Sequence, residues 1–254
     1  MKKQLKKIEK RKFNELEPIK ATGEIKEVEQ SVYDMAAELE RYMQSQQAFF
    51  QNASHELKTP LMTIQGYAEG IRDKVFDEAD QEKGLEMMVT EVERLKKIIN
   101  EMILLAKLDS DRSTYHPEKI QASELIDQVL DRALPIVNDN GVKLQPEVDN
   151  QVQFTADAEK FLQALLNLTF NAIRHAHSRV DITVTEDKIT IEDDGEGISK
   201  ELVPHIFHRF VKGKTGETGL GLAIARAIIE QSGGKIMVRD SDLGGAKFIV
   251  ILPK

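Results

Sequence analysis

One short stretch concentrates reactive side chains: Phe50-Gln51-Asn52-Ala53-Ser54-His55-Glu56-Leu57-Lys58-Thr59-Pro60-Leu61. It sets a histidine beside a carboxylate, with a hydroxyl one helical turn further on. A buried core has no need of that combination. Phosphoryl transfer to and from an imidazole does: the ring supplies the nucleophile and the carboxylate takes its proton.

Four further clusters bear on a phosphate-bearing ligand. Asn167, Asn171 and Arg174 share one helical face at i, i+4 and i+7, with His175 beside Arg174. An asparagine carbonyl is a ligand type that Mg²⁺ accepts, and a cation meets phosphate oxygens. Next, Asp193-Asp194-Gly195-Glu196-Gly197-Ile198 follows a strand-like run. Its glycines permit a tight turn, and a carboxylate beside them accepts a hydrogen bond from an exocyclic amine such as that of adenine. Third, Phe207 and Phe210 stand three apart ahead of Val211 to Glu217, which reads as a lid in which Lys212 and Lys214 reach phosphates. Fourth, Thr218-Gly219-Leu220-Gly221-Leu222 opens a helix, where backbone N–H groups face an anion. No GxxxxGK[ST] run is present, so this is not a P-loop.

The elements that must position these groups follow from periodicity. Phe50, Ser54, Leu57, Leu61, Ile64, Ala68 and Ile71 are spaced 4, 3, 4, 3, 4, 3. Leu85, Met88, Val92, Leu95, Ile99, Met102 and Ala106 are spaced 3, 4, 3, 4, 3, 4. Both are heptad seams. His55 and Thr59 fall outside the first seam and are neighbours on one face, with Glu56 beside them. Pro60 removes a backbone donor and should loosen the helix just past the histidine. The polar stretch Lys74 to Gln81 separates the two seams, so the pair is a helical hairpin. A hairpin cannot bury both stripes alone, and pairing two into a four-helix bundle predicts a homodimer. A third heptad run, Ile25 to Tyr42, precedes the histidine helix; the eight residues from Tyr42 to Phe50 slip its register by one.

Beyond Ala106 the pattern stops, and Asp109 to Ser113 is expected to be a linker. The remainder alternates helices and strands: a helix from a Ser123 cap to Asn138, helices over 158–176 and 219–232, a strand hairpin over 181–192, and a closing strand pair, 235–239 with 247–252. An α/β sandwich with helices on one face of a mixed sheet is predicted.

Composition narrows the function classes. The 254 residues suggest about two domains. A net charge of −8 argues against broad nucleic-acid binding. The absence of cysteine excludes disulfides and thiolate metal sites. No apolar run approaches the roughly 18 residues of a bilayer span. Lys2, Lys3, Lys6, Lys7, Lys10, Arg11 and Lys12 cluster against one acid, Glu9. Such a cluster is expected just inside a membrane, which predicts a cytoplasmic portion of a longer, membrane-anchored sensor.

Taken together, the motifs resemble the core of a two-component sensor histidine kinase over residues 24–254. The correspondence rests on an H box (His55 to Pro60), an N box (Asn167 to His175), a G1 box (Asp193 to Gly197), an F box (Phe207 to Phe210) and a G2 box (Thr218 to Leu222), in the family's order. Gly23-Glu24-Ile25 with Asp34-Met35 and Leu39 is similar to the end of a HAMP signalling module. The resemblance implies a dimeric four-helix bundle that carries the phosphoacceptor, then a Bergerat-type ATP-binding domain, with ATP, Mg²⁺ and a response-regulator receiver domain as partners. Expected domains are 1–47 (partial HAMP-like segment and signalling helix), 48–112 (dimerisation and phosphotransfer) and 113–254 (ATP binding).

By the same resemblance His55 is the nucleophile and Glu56 its base. Asn171 is the Mg²⁺ ligand, Asp193 the adenine-contacting carboxylate and Lys212 a lid cation. Thr59 with Lys58 serves dephosphorylation of the regulator. Nucleotide contacts are implied for Asn167, Arg174, His175, Gly195, Gly197, Ile198, Phe207, Phe210, Lys214, Thr218, Gly219, Leu220, Gly221 and Leu222. Two departures stand out. His175 replaces an aromatic residue usual in the N box, and Glu217 replaces a common glycine before the G2 box. An ATP-driven conformational module or a degenerate scaffold would share the ATP fold. The H box on a hairpin argues against the first, and intact Asn171, Asp193, Gly219 and Gly221 against the second.

Overall fold

The computed structural model describes residues 7, 8, 11, 13, 24–110, 115–213 and 218–253. Lys2, Lys3, Lys6, Lys10 and Lys12 of the basic cluster, residues 14–23, linker residues 111–113, Lys214 and Glu217 lie outside them. Packing divides the chain into two units, residues 1–59 and 60–254.

Helix α1 spans Glu24–Arg72 without interruption. The heptad run at 25–42, the register slip and the histidine motif therefore all belong to one helix. Pro60 sits inside it, and the helix continues on both sides although proline offers no N–H to the preceding turn. Within the first unit, Ala36 and Ala53 are buried, whereas Phe50 is 61% exposed.

Helix α2 spans Glu78–Ser110. It begins inside the stretch expected to be a connector, because Asp77 caps it: the Asp80 N–H donates to Asp77 Oδ1 at 2.9 Å. The turn is thus only five residues long. Lys74 takes a left-handed conformation (φ 54°), and Val75 N–H donates to Gly70 O. The C-terminal end also differs from expectation, since Asp109 and Ser110 are still helical.

Each predicted seam resolves into two rows. Leu57, Ile64 and Ile71 on α1, and Met88, Leu95 and Met102 on α2, are half-buried. Ser54, Leu61 and Ala68, and Leu85, Val92, Ile99 and Ala106, are exposed. One apolar row on each helix is therefore left uncovered within a single chain.

The sheet module follows, with β1 (Glu118–Gln121), α3 (Ala122–Asn140), β2 (Lys143–Val148), β3 (Gln153–Ala156), α4 (Ala158–His175), β4 (Arg179–Thr185), β5 (Lys188–Asp193), α5 (Gly221–Gln231), β6 (Lys235–Asp240) and β7 (Ala246–Ile251). Five strands order as β2-β4-β5-β7-β6, parallel only at β2–β4, so the sheet is mixed as predicted. β1 and β3 form a separate antiparallel pair. Along β4, Val180, Ile182 and Val184 are buried and alternate with half-buried residues, the pattern of a sheet covered by helices on one face. Ser123 is not a cap: Gln121 holds that position without a side-chain bond, and α3 ends at left-handed Gly141, whose N–H returns to Val137 O. Helix α5 starts at Gly221 rather than Gly219 because Gly219 is itself left-handed (φ 69°).

The core is built from α3, α4, α5 and the buried sheet face, with Phe154 and Phe161 in ring contact at 4.8 Å. Leu105 of α2, 1% exposed, is part of it, and Met102, Leu104 and Leu108 pack alongside. Burying one such side chain stabilises by roughly 1.5–3 kcal/mol. The second hairpin helix is thereby seated on the sheet module.

Candidate functional site

A cavity of about 1570 Å³ opens between α4, the β5–α5 connection and α2. Helix α4 forms one wall. Asp157 caps it by accepting the Lys160 N–H, and Phe161, Leu165 and Leu168 bury its opposite face. That leaves Asn167, Asn171, Arg174 and His175 to line the cavity. Asn167 Nδ2 donates to Gly221 O at 3.1 Å and so fixes α4 against the start of α5. Burial lowers the pKa of His175; Asp193 works the other way and Arg174 adds to the burial effect. Burial thus disfavours the charged imidazole, and the fixed positive charge on this wall is that of Arg174.

Asp193 lies at the end of β5, 1% exposed. Its Oδ1 accepts N–H groups from Gly195 (2.9 Å) and Ala246 (3.2 Å). Its Oδ2 is buried with no hydrogen-bond partner among the described residues. Burial raises the pKa, against the opposing pull of the Gly195 and Ala246 N–H groups. A buried acceptor is not normally left open, because an unmade bond forfeits the cost of dehydration. A ligand donor such as an exocyclic amine would satisfy it, and Asp193 lines the cavity where that donor would arrive.

Glycines make this placement possible. A Cβ on Gly245 would overlap Asp193 Oδ1, and one on Gly195 would overlap the His175 carbonyl. Asp194 points elsewhere. It accepts the N–H groups of His177, Ser178 and Arg179 and the Ser178 hydroxyl, pinning the α4–β4 connection. Partial desolvation would raise its pKa, but those hydrogen bonds prevail and hold it well below the usual carboxylate range.

The far side of the cavity is formed by described residues that follow the F box and by the G2 box. Phe210 N–H donates to Gly219 O at 2.7 Å, with both residues left-handed, which joins the F box to the G2 box. Val211, Lys212, Gly213, Thr218, Gly219, Gly221 and Leu222 line the cavity. Thr218 Oγ1 accepts the Leu220 N–H at 3.3 Å, shaping the turn that leads into α5.

Gly197 and Ile198 also line the cavity. Gly195, Phe207, Phe210 and Leu220 are not among the lining residues, and Lys214 is outside the described ones. Phe207 instead packs edge-on against Phe248, and Leu220 is fully buried. These two hold the motif in place from behind. Sequence reasoning missed the Gly244-Gly245-Ala246 turn that grips Asp193, and the α2 wall formed by Glu93, Lys96, Lys97, Asn100, Glu101 and Leu104. The paired glycines before β7 were the available signal for the first. Among the described residues, no group of three or more His, Asp or Glu side chains could by itself hold a metal ion.

In the other unit His55 is exposed on α1, with Glu56 half-buried and Lys58 and Thr59 exposed. Thr59 Oγ1 donates to the His55 carbonyl at 3.3 Å, so hydroxyl and histidine share one stretch of helix surface.

Comparison with known proteins gives two family matches. Residues 45–111 match the His Kinase A (phospho-acceptor) domain. Residues 156–254 match the histidine kinase-, DNA gyrase B- and HSP90-like ATPase. The sensor protein SrrB of Staphylococcus aureus is 35% identical over 226 residues, covering 83% of this chain and 38% of that protein. The chain thus spans about two fifths of the length of the curated relatives it matches. Among solved structures, the Acinetobacter baumannii histidine kinase AdeS aligns with TM-score 0.65 and 26% identity, over 78% of this chain and 97% of that one. The catalytic domain of histidine kinase ThkA aligns with TM-score 0.50 and 30% identity, over 55% of this chain and 96% of that one. No helix among the described residues is long and apolar enough to cross a membrane.

Proposed function

Because the chain belongs to the two-component histidine kinases, we propose that it moves the γ-phosphoryl group of ATP onto His55 and then onto an aspartate of a response-regulator receiver domain. The observation that carries this reading is Asp193, buried at the cavity wall with one carboxylate oxygen unpaired among the described residues. Adenine's exocyclic amine is the donor it lacks. The triphosphate then extends toward Arg174, Lys212 and the N–H groups around Gly219 and Gly221, where a helix N-terminus favours an anion.

In the transfer step a ring nitrogen of His55 attacks the γ-phosphorus. The bond from phosphorus to the bridging oxygen breaks, ADP leaves, and the imidazole proton passes to Glu56. Protein groups contribute mainly position and charge compensation. Mg²⁺ would neutralise phosphate charge. Asn171 would hold it through its amide oxygen, a hard donor of the kind Mg²⁺ takes. Thr59 with Lys58 would position water for dephosphorylation of the regulator.

Residues 48–112 form the dimerisation and phosphotransfer module in this reading, and 113–254 the ATP module. The exposed rows Ser54-Leu61-Ala68 and Leu85-Val92-Ile99-Ala106 support a homodimer, since a second hairpin would cover them. The name of the SrrB relatives supports a place within a sensor protein. Incubation with γ-labelled ATP, Mg²⁺ and a receiver domain tests the proposal. Label should appear first on this chain and move to the receiver as a base-labile acyl phosphate. A chain that hydrolyses ATP steadily without acquiring label would refute it.

A further inference from the structure

Two residues that flank the outer lining of the cavity, Arg209 and Thr218, are tied to the hairpin. Arg209, next to Phe210, donates two hydrogen bonds to Asp109 of α2, at 2.8 and 2.6 Å. The Thr218 hydroxyl, next to Gly219, donates to Glu101 of α2 at 2.6 Å. Phe210 and Gly219 are themselves joined backbone to backbone. Glu101, Leu105 and Asp109 lie on one i, i+4 ridge of α2, with the buried Leu105 between the two carboxylates. Thr218 is 5% exposed, and its oxygen also accepts the Leu220 N–H. Glu101 therefore fixes the orientation of a hydroxyl that shapes the turn into α5.

We propose that Glu101 and Asp109 are positioning residues for nucleotide binding: from the hairpin helix they hold Arg209, next to the cavity-lining Val211 to Gly213, and Thr218, which begins the turn into α5. This rests on the nucleotide reading above and adds a consequence to it. If seating of α2 orders the turn, then bound nucleotide must favour seating of α2 by the same factor, since linkage is reciprocal. The helix that belongs to the phosphoacceptor hairpin thus reports on the nucleotide site, and the nucleotide site on that helix. The two contacts differ in weight. The Glu101–Thr218 bond is largely shielded and charge-assisted, whereas Arg209 and Asp109 are 28% and 47% exposed at their side chains and partly screened.

The test measures binding of a non-hydrolysable ATP analogue to the full chain. Glu101→Ala should weaken affinity roughly five- to tenfold, and Asp109→Ala about two- to threefold. Glu101→Gln keeps an acceptor for the Thr218 hydroxyl and should stay within about twofold of wild type. Thr218→Val should cost less in the Glu101→Ala background than in the wild type, because the Thr218–Glu101 bond is lost to both and only the acceptor for the Leu220 N–H remains to be removed. Analogue binding should slow amide exchange along α2 near Leu105 in the wild type and not in the Glu101→Ala/Asp109→Ala double variant. Unchanged or tighter binding by Glu101→Ala would overturn the proposal. So would Glu101→Gln as weak as Glu101→Ala, or fully additive Glu101 and Thr218 effects. A wild-type chain that fails to bind the analogue would instead overturn the nucleotide reading itself, and this proposal with it.

Discussion

Asp193 Oδ1 accepts the backbone N–H of Ala246, a residue 53 positions further along the chain, at 3.2 Å. With Gly195 N–H on the same oxygen, one half of the carboxylate is committed to the fold and Oδ2 is left for a ligand. The division of labour has a sharp consequence for base choice. In Asp193→Asn the amide oxygen would keep the two backbone donors and turn its NH₂ toward the ligand. Donor would then meet donor at adenine, so ATP-analogue affinity should fall by at least about a hundredfold. Purines with an oxygen in place of the amine should lose less, and a titration with adenine and 6-oxopurine nucleotides checks this.

Gly245→Ala probes the same grip from the other side. Its Cβ would overlap Asp193 Oδ1. The side chain must move, taking Oδ2 with it. A loss of about 1–3 kcal/mol in stability is expected from such overpacking, together with weakened nucleotide binding. Denaturant melts and a binding isotherm measure both.

Asp194 makes the sheet module acid-sensitive. Its folded pKa is depressed, so it contributes stability at neutral pH. That contribution is present above the ordinary carboxylate range and is lost as pH falls through that range toward the lower folded value. Asp194→Ala should lower stability by about 2 kcal/mol at pH 7, for loss of charge-assisted hydrogen bonds. The difference from wild type should shrink as pH falls below about 4. Thermal melts at several pH values show whether the two curves converge.

Leu105→Ala should unseat α2 from the sheet module. The side chain is 1% exposed within the core. Truncation is expected to cost about 2–5 kcal/mol. The hairpin's own half-buried row is not touched, so far-UV helicity should be retained while α2 gains amide exchange near residue 105.

Much of the fold was legible because its periodicities are strong. The two seams, α4, the β4–β5 hairpin and the β6–β7 pair follow directly from apolar spacing. Failures fell where local chemistry, not periodicity, decides. Asp77 starts α2 early by capping it, and Gly219 delays α5 by turning left-handed. β1, β2 and β3 were not anticipated individually: they are four to six residues long, and β2 buries no residue fully. At the site, the motif residues Asp193, Asn171 and Gly219 were visible as types and spacings. The partners that orient them were not. Ala246 acts through its backbone N–H, which no side-chain pattern reveals, and Glu101 lies 117 residues from Thr218 in a helix that reads as ordinary coiled coil.

Mapping the phosphorylated residue after a brief incubation of the full chain with Mg²⁺ and γ-labelled ATP is the decisive measurement. The label should be acid-labile and base-stable, reside on His55, and vanish in His55→Gln while that variant still binds nucleotide. Label on any other residue, or undiminished label in His55→Gln, would contradict the assignment of this imidazole as the phosphoacceptor.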